Sequence, residues 1–239
     1  MSLFAIGDLH LPGGDDKPMD IVGSHWDGHY ERISEDWRSR VRETDTVLIP
    51  GDISWAMQLR DAVPDLEAIN ALPGRKIILK GNHDYWWNTL TQVRSVLPEG
   101  MQAIQHNALD VGEAVVCGTR GWTLPTAETP LSPEDGKIYH REVLRLEMAL
   151  QAAGKILDGR PLVVMMHYPP LYDMERDTDF TRLLRRYAVT TVVYGHLHGA
   201  GIRAGFTGVQ DGINYHLTSC DSLGFRLAEV PLERVSAES

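Results

Sequence analysis

The sequence predicts an α/β domain. Short β-branched runs alternate with longer segments of helical period, the pattern of a layered α/β protein. Several of the runs stop abruptly at polar residues preceded by glycine, as strands do when they feed loops at a sheet edge. The 239 residues, 43% hydrophobic and 23% charged, suffice for one sizeable core. No repeat, low-complexity segment or linker interrupts them, so residues 1–239 are expected to form a single domain.

Taken in order, the first strand is expected at Leu3–Gly7. The next stretch, about 11–28, is rich in Gly, Pro and Asp and has weak periodicity. Long structureless loops in compact domains are often functional, so this excursion is a candidate cover for a site, with a solvated surface loop as the plain alternative. Trp26 lies in it. A helix follows at Tyr30–Arg42, with Trp37 at a core-like position, then a strand at Thr46–Pro50 and a helix at Arg60–Ala71. Lys76–Leu79 is a strand and Trp86–Leu97 a helix, with Trp86 and Trp87 read as packing behind the strand end. Strands are expected at Met101–Gln105 and Ala114–Cys117. The helix at Pro133–Ala153 is the best delimited: Ser132 suits its N-cap, Pro133 its first turn and Gly154 its stop. A strand at Leu162–Met166, a helix at Phe180–Tyr187 and strands at Thr191–Tyr194, Asn214–Thr218 and Phe225–Val230 complete the chain. The last strands lack helices between them, which predicts mixed sheets.

Composition removes several classes of function. A formal net charge of −10 disfavours binding to nucleic-acid backbones. It leaves phosphate substrates open, because a bound cation reverses the local sign. Cys117 and Cys220 lie in apolar stretches and read as buried free thiols, too few for a disulfide framework or a zinc-thiolate site. No apolar run is long enough to span a membrane. The start, Met1-Ser2-Leu3-Phe4, enters a strand without a basic leader, which gives the expectation of a cytoplasmic protein.

The polar residues at strand ends carry the chemistry. Asp8 and His10 follow the first strand, Gly51-Asp52 the second, and Gly81-Asn82-His83-Asp84 the third. His167 follows Val163–Met166, and Gly195-His196-Leu197-His198 follows Val192–Tyr194. Ligands of open α/β sheets bind beyond the carboxyl ends of the strands. Carboxylate, imidazole and amide oxygen are donors for divalent ions such as manganese, zinc or ferrous iron. In Asp8-x-His10 and His196-x-His198, a spacing of two puts both side chains on one side of an extended segment. Singly, each piece has a bland reading: Gly-Asp as a turn, His167 as a core histidine, Asp8-x-His10 as a loop cap. Their joint occurrence at strand ends is not accounted for by turns.

In this order the residues resemble the calcineurin-like metallophosphoesterase superfamily, whose pattern is Asp-x-His, Gly-Asp, Gly-Asn-His-Asp/Glu, His and Gly-His-x-His. The match spans residues 8 to 198 with no element missing. The resemblance implies a four-layer αββα sandwich of two mixed sheets flanked by helices. It implies two divalent metal ions, manganese foremost, with iron, zinc, nickel and cobalt as alternatives. Asp8, His10, Asp52 and His198 would hold one ion, and Asp52, Asn82, His167 and His196 the other. His83 would face the phosphate as acid or electrostatic stabiliser, with Asp84 holding its imidazole. The activity implied is hydrolysis of a phosphoester in a small phosphorylated substrate, by a hydroxide bridging the metals.

Departures narrow the subclass. Purple acid phosphatases carry Tyr where this chain has Trp55, so a purple ferric site is not expected. Lipid-A-type hydrolases usually carry Arg at the position of His83. Arg120, in Gly118-Thr119-Arg120-Gly121-Trp122 after a strand, is the arginine singled out for phosphate contact, with an ordinary loop arginine as the alternative. Trp55 is a candidate wall of the cleft, and Asp221 is read as a turn residue. Cyclic-nucleotide phosphodiesterases share the full motif set, so monoester and diester substrates both stay open. A nuclease is disfavoured by the acidity. A non-catalytic metal-binding scaffold is disfavoured because every motif residue is present.

Overall fold

A computed structural model describes residues 1–13, 23–126 and 129–233. Residues 14–22, half of the excursion at about 11–28, lie outside the described residues, and so does that part of the expected cover over the site.

Side-chain alternation builds the architecture. In strand β1 (Leu3–Ala5), Leu3 and Ala5 point to one side and Phe4 to the other. Strand β2 (Thr46–Ile49) splits Leu48 from Val47 and Ile49, and β3 (Arg75–Leu79) splits Ile77 and Leu79 from Ile78. The same period of two recurs in β6 (Val115–Thr119), β7 (Leu162–Met166) and β8 (Thr191–Tyr194). Each strand is therefore buried on both faces, which explains its continuous apolar run. Leu48, Ile77, Val116, Val163 and Val193 meet in one apolar layer between the two sheets. A second layer packs the first sheet on helices α1 (His29–Arg40) and α2 (Leu59–Asn70). A third packs the other sheet on α4 (Pro133–Gly154) and α5 (Asp179–Arg186). The result is the αββα sandwich.

With β4 (Met101–Ile104), β5 (Ala108–Asp110), β9 (Gly208–Gln210), β10 (Ile213–Leu217) and β11 (Ala228–Glu229), the sheet orders are β11-β1-β2-β3-β4 and β5-β6-β7-β8-β10-β9. The strands β1 to β4 are parallel to one another, as are β6, β7, β8 and β10. The edge strands β11, β5 and β9 are antiparallel, so both sheets are mixed. Parallel pairing sets the carboxyl ends of the inner strands along one edge.

Three expectations need correction. The helix expected at Trp86–Leu97 shrinks to α3 (Leu90–Arg94), capped by Thr89. Asp84 holds the preceding residues in a turn: its carboxylate accepts from Trp86 Nε1 (3.0 Å), and its carbonyl from Trp87 N (3.1 Å). Trp86 and Trp87 are fully buried core residues, as read from the sequence. The strand expected at Phe225–Val230 survives only as Ala228–Glu229, because Phe225 has a left-handed backbone (φ 63°) that no strand accommodates. Strands β5 and β9 went unread.

Candidate metal centre

The polar residues meet at the carboxyl edge because the loops after β1 and β2 run side by side. Asp8 N donates to Gly51 O (2.9 Å), His10 N to Asp52 O (3.0 Å) and Leu11 N to Ile53 O (2.9 Å). From the second sheet, His167 N donates to Arg120 O (3.1 Å) and Gly195 N to His167 O (3.1 Å). Four of the gathered residues have left-handed backbones: Asp8 (φ 58°), His10 (46°), Asp52 (50°) and His196 (74°). Such conformations cost about 1–3 kcal/mol each and persist where a site over-determines them.

Glycines that precede polar residues at strand ends suit turns of positive φ, the reading the sequence gives for Gly7, Gly51, Gly81 and Gly195, but here most have a different task. Only Gly51, of Gly7, Gly51, Gly81 and Gly195, has a positive φ (97°). The others give room. A Cβ on Gly81 would lie 2.1 Å from Asp52 Oδ1, and one on Gly195 2.3 Å from Asp8 Oδ2. Gly81→Ala should therefore displace the Asp52 carboxylate and destabilise the fold by about 1–3 kcal/mol. Thermal unfolding of both proteins without metal checks this; an unchanged Tm would show that the loop yields freely.

The side chains form two groups that share Asp52. In the first, His10 Nε2 lies 3.3 Å from His198 Nε2, His198 Nε2 lies 3.4 Å from Asp8 Oδ1, and His10 Nε2 lies 3.9 Å from Asp52 Oδ2. In the second, Asn82 Oδ1 lies 2.6 Å from His167 Nε2 and 2.9 Å from His196 Nδ1, and His167 Nε2 lies 3.5 Å from Asp52 Oδ2. Asp8, His10, Asp52 and His167 are buried. Two donors bound to one ion at about 2.1 Å, roughly a right to a tetrahedral angle apart, are themselves about 3.0–3.4 Å apart. His10–His198 and His198–Asp8 fall in that range, and Asn82–His196 and His167–Asp52 lie just outside it; Asn82–His167 is closer and His10–Asp52 farther.

Tautomers bear on the same donors. His167 Nδ1 donates to Pro50 O (3.0 Å), a carbonyl that can only accept, so Nε2, toward Asn82 Oδ1, is the nitrogen left to meet an ion. His198 is held the same way, its Nδ1 lying 2.9 Å from Asp221 Oδ1, and Asp221 also accepts from Gly199 N and Ser222 N. Asp221 is the functional residue missed in the sequence, where nothing separates it from a turn aspartate. It is a carboxylate behind a candidate ligand histidine rather than a ligand.

Electrostatics prepare the donors. Burial drives His10 and His196 down to about 4, so both are neutral at neutral pH. Burial would raise Asp8 and Asp52, but the surrounding imidazoles outweigh it and keep both carboxylates ionised. Burial would lower His198, yet Asp221 and Asp8 push it up to about 10. Below that pH His198 is protonated in the metal-free protein, and a metal must displace the proton. Apparent affinity for the ion that His198 holds should then rise about tenfold per pH unit between pH 7 and 9, with about one proton released per chain. Calorimetry in buffers of different ionisation enthalpy checks this. Asp221→Ala should weaken metal binding about 10- to 100-fold and flatten that pH slope.

Asp84 does not hold the His83 ring. Its Oδ1 accepts from Ile53 N (2.8 Å), Ser54 N (3.2 Å) and Trp86 Nε1, and its Oδ2 from Gly81 N (2.7 Å). Burial and Asp52 raise it to about 6, which leaves it ionised at neutral pH. It ties the Asp52 loop to the Asn82 loop. His83 instead places Nδ1 2.7 Å from Asp52 Oδ2, and that hydrogen bond raises its pKa. By geometry alone His83 also groups with His10 and Asp52 as a possible donor set. It differs in exposure: its side chain is 35% exposed, against 3% for His10 and 1% for Asp52.

Aromatic rings wall the cluster. Trp55 stacks on His10 (4.8 Å) and lies 4.7 Å from His83. Trp26, fully buried, packs 5.6 Å from His198, so it backs the first group. Trp37 is core, its Nε1 donating to Pro73 O (2.8 Å). Tyr168 lies 4.1 Å from His196. The Arg120 guanidinium stacks 4.6 Å over Trp122, which is 5.1 Å from Tyr168. Cys117 and Cys220 are buried free thiols. Among the described residues, no helix is long and apolar enough to cross a membrane.

Comparison with known proteins places this geometry. The family model for calcineurin-like phosphoesterases matches residues 1–200. No curated protein matches the chain by sequence. Among solved structures, the chain is similar to phosphopantetheinyl hydrolase from Mycobacterium tuberculosis, at 18% identity and a TM-score of 0.60, covering 100% of this chain and 98% of that one. It is also similar to a protein of unknown function from Aquifex aeolicus, at 15% identity and a TM-score of 0.51, covering 95% of each. Both likenesses concern the fold. With most of its length matched and acidic, imidazole and amide donors gathered at one sheet edge, the chain belongs to the calcineurin-like phosphoesterase family and is a phosphoester hydrolase.

Proposed function

We propose that the chain hydrolyses a phosphoester of a small substrate with two divalent ions, one held by Asp8, His10, Asp52 and His198 and the other by Asp52, Asn82, His167 and His196. The observation that carries this reading is the convergence of two donor groups on the single carboxylate of Asp52. Such ions, when bound, neutralise phosphate oxygens and make water nucleophilic at neutral pH. The protein's own part is to present ionised Asp8 and Asp52 and neutral His10 and His196, with His198 held by Asp221, His167 by Pro50 O and the Asp52 and Asn82 loops by Asp84. His83, at the open side of the cluster, keeps a proton through its bond to Asp52 and delivers it to the departing alkoxide oxygen. Trp55 fixes the faces of His10 and His83. Residues 1–239 act as one domain. Manganese is the first metal to try, since these donors suit it and exclude thiolate-seeking ions.

The test is turnover of p-nitrophenyl phosphate and bis-p-nitrophenyl phosphate by manganese-loaded protein, with Asp52→Asn as the blank. Activity above the blank supports the reading, and the ratio assigns monoester or diester preference. Stoichiometric metal with no turnover of any phosphoester would instead favour a binding scaffold.

A further inference from the structure

Beside the cluster, on the flank of the same edge toward β4 and β6, lies a small cleft lined by Lys80, Gln105, Thr119, Arg120, Glu142 and Arg145. Its volume is about 100 Å³. Pockets for whole small molecules run to about 300–1,000 Å³, so this cleft takes a group rather than a molecule. Its position follows from topology. Lys80 ends β3 directly before Gly81-Asn82, and Arg120 ends β6, its carbonyl accepting from His167 N and Tyr168 N.

The charges in the cleft are unequal. Glu142 is buried on the floor, where it accepts from Thr119 Oγ1 (2.6 Å) and Arg145 (2.6 Å), so the one carboxylate is spoken for and Arg145 is neutralised. Lys80 and Arg120 have no carboxylate partner among the described residues, although the chain as a whole carries −10. They are close enough for the charge of one to act on the other. Lys80 gives one donor to Trp87 O, leaving two of its three, and the Arg120 guanidinium makes no hydrogen bond among the described residues while it lies flat on Trp122. Two like charges kept together are unfavourable unless an anion joins them; the buried Asp84 carboxylate acts on Lys80 from a distance but bonds neither cation.

We propose that this cleft binds a second anionic group of the substrate, a phosphoryl group distinct from the scissile one, and so selects bisphosphorylated over monophosphorylated compounds. This rests on the hydrolase reading above. Arg120 then differs from an arginine that grips the scissile phosphate: it reads the far end of the substrate.

The experiment compares butane-1,4-diol bisphosphate with butyl phosphate as substrates of the manganese-loaded protein and of the Lys80→Met/Arg120→Gln double variant. Wild type is expected to favour the bisphosphate at least about tenfold in kcat/KM, and the double variant to lose that preference. Equal preference in the two proteins, with both substrates hydrolysed, would overturn the cleft and leave the hydrolase intact. In parallel, the metal-free proteins are titrated with inorganic phosphate. Wild type should bind it more tightly than the double variant by about tenfold; equal affinity, or no binding to either, would also overturn the proposal. No turnover of either substrate by wild type would sink the hydrolase reading, and the titration would then judge the cleft alone.

Discussion

Asp52→Asn should leave the protein folded and remove at least about a thousandfold of its phosphoesterase activity, roughly 4 kcal/mol of transition-state stabilisation. The expectation follows from position. Asp52 Oδ2 lies within 3.9 Å of His10 Nε2 and 3.5 Å of His167 Nε2, one from each donor group. The amide keeps the shape but loses the charge, so one substitution should weaken both ions at once. Its Oδ1 accepts from His83 N (2.8 Å), a bond the amide oxygen can preserve, which is why the fold should hold. Metal content after dialysis and turnover are measured together. A variant that retains two ions per chain would show that Asp52 is not shared.

His83→Ala should do the opposite to metal and the same to turnover. Metal content is expected to stay at the wild-type level, while hydrolysis of alkyl phosphates falls about 10²- to 10⁴-fold, the usual range for a lost general acid. Esters with good leaving groups, such as p-nitrophenyl phosphate, should suffer much less, because p-nitrophenolate departs without a proton. The split between leaving groups separates a proton donor from a ligand. If metal is lost with the imidazole, the donor set of His10, Asp52 and His83 is the better description. Full activity on butyl phosphate would end the role of His83 as acid.

Much of this was legible because its signals are local. The continuous apolar runs Leu3–Ile6 and Ile77–Leu79, bounded by Gly7 and Lys80-Gly81, mark strands wherever they pack, and Ser132-Pro133 marks a helix start without tertiary help. The short edge strand β9 had such a signal too. Asp211 (φ 53°) and Gly212 (φ 73°) form the turn between β9 and β10, a dipeptide suited to two-residue hairpins. Strand β5, part-exposed along its length, carries little alternation to read.

Chemistry divides in the same way. Asp8, His10, Asp52, Asn82, His83, His167, His196 and His198 could be picked out by sequence, since each sits in a short motif at the end of an apolar run. The partners of those residues could not, because a hydrogen bond between positions far apart leaves no periodic trace. That Asp84 serves the Asp52 backbone rather than the His83 ring depends on how the β2 and β3 loops pack. That Asp221 stands behind His198 depends on a loop 23 residues away returning to the edge. Residue type and period thus mark the candidate donors and the layers that carry them. Packing decides which carboxylate holds which imidazole, which glycines make room rather than turn, and where two cations stand without a bonded carboxylate, because those depend on distances that only the folded chain sets.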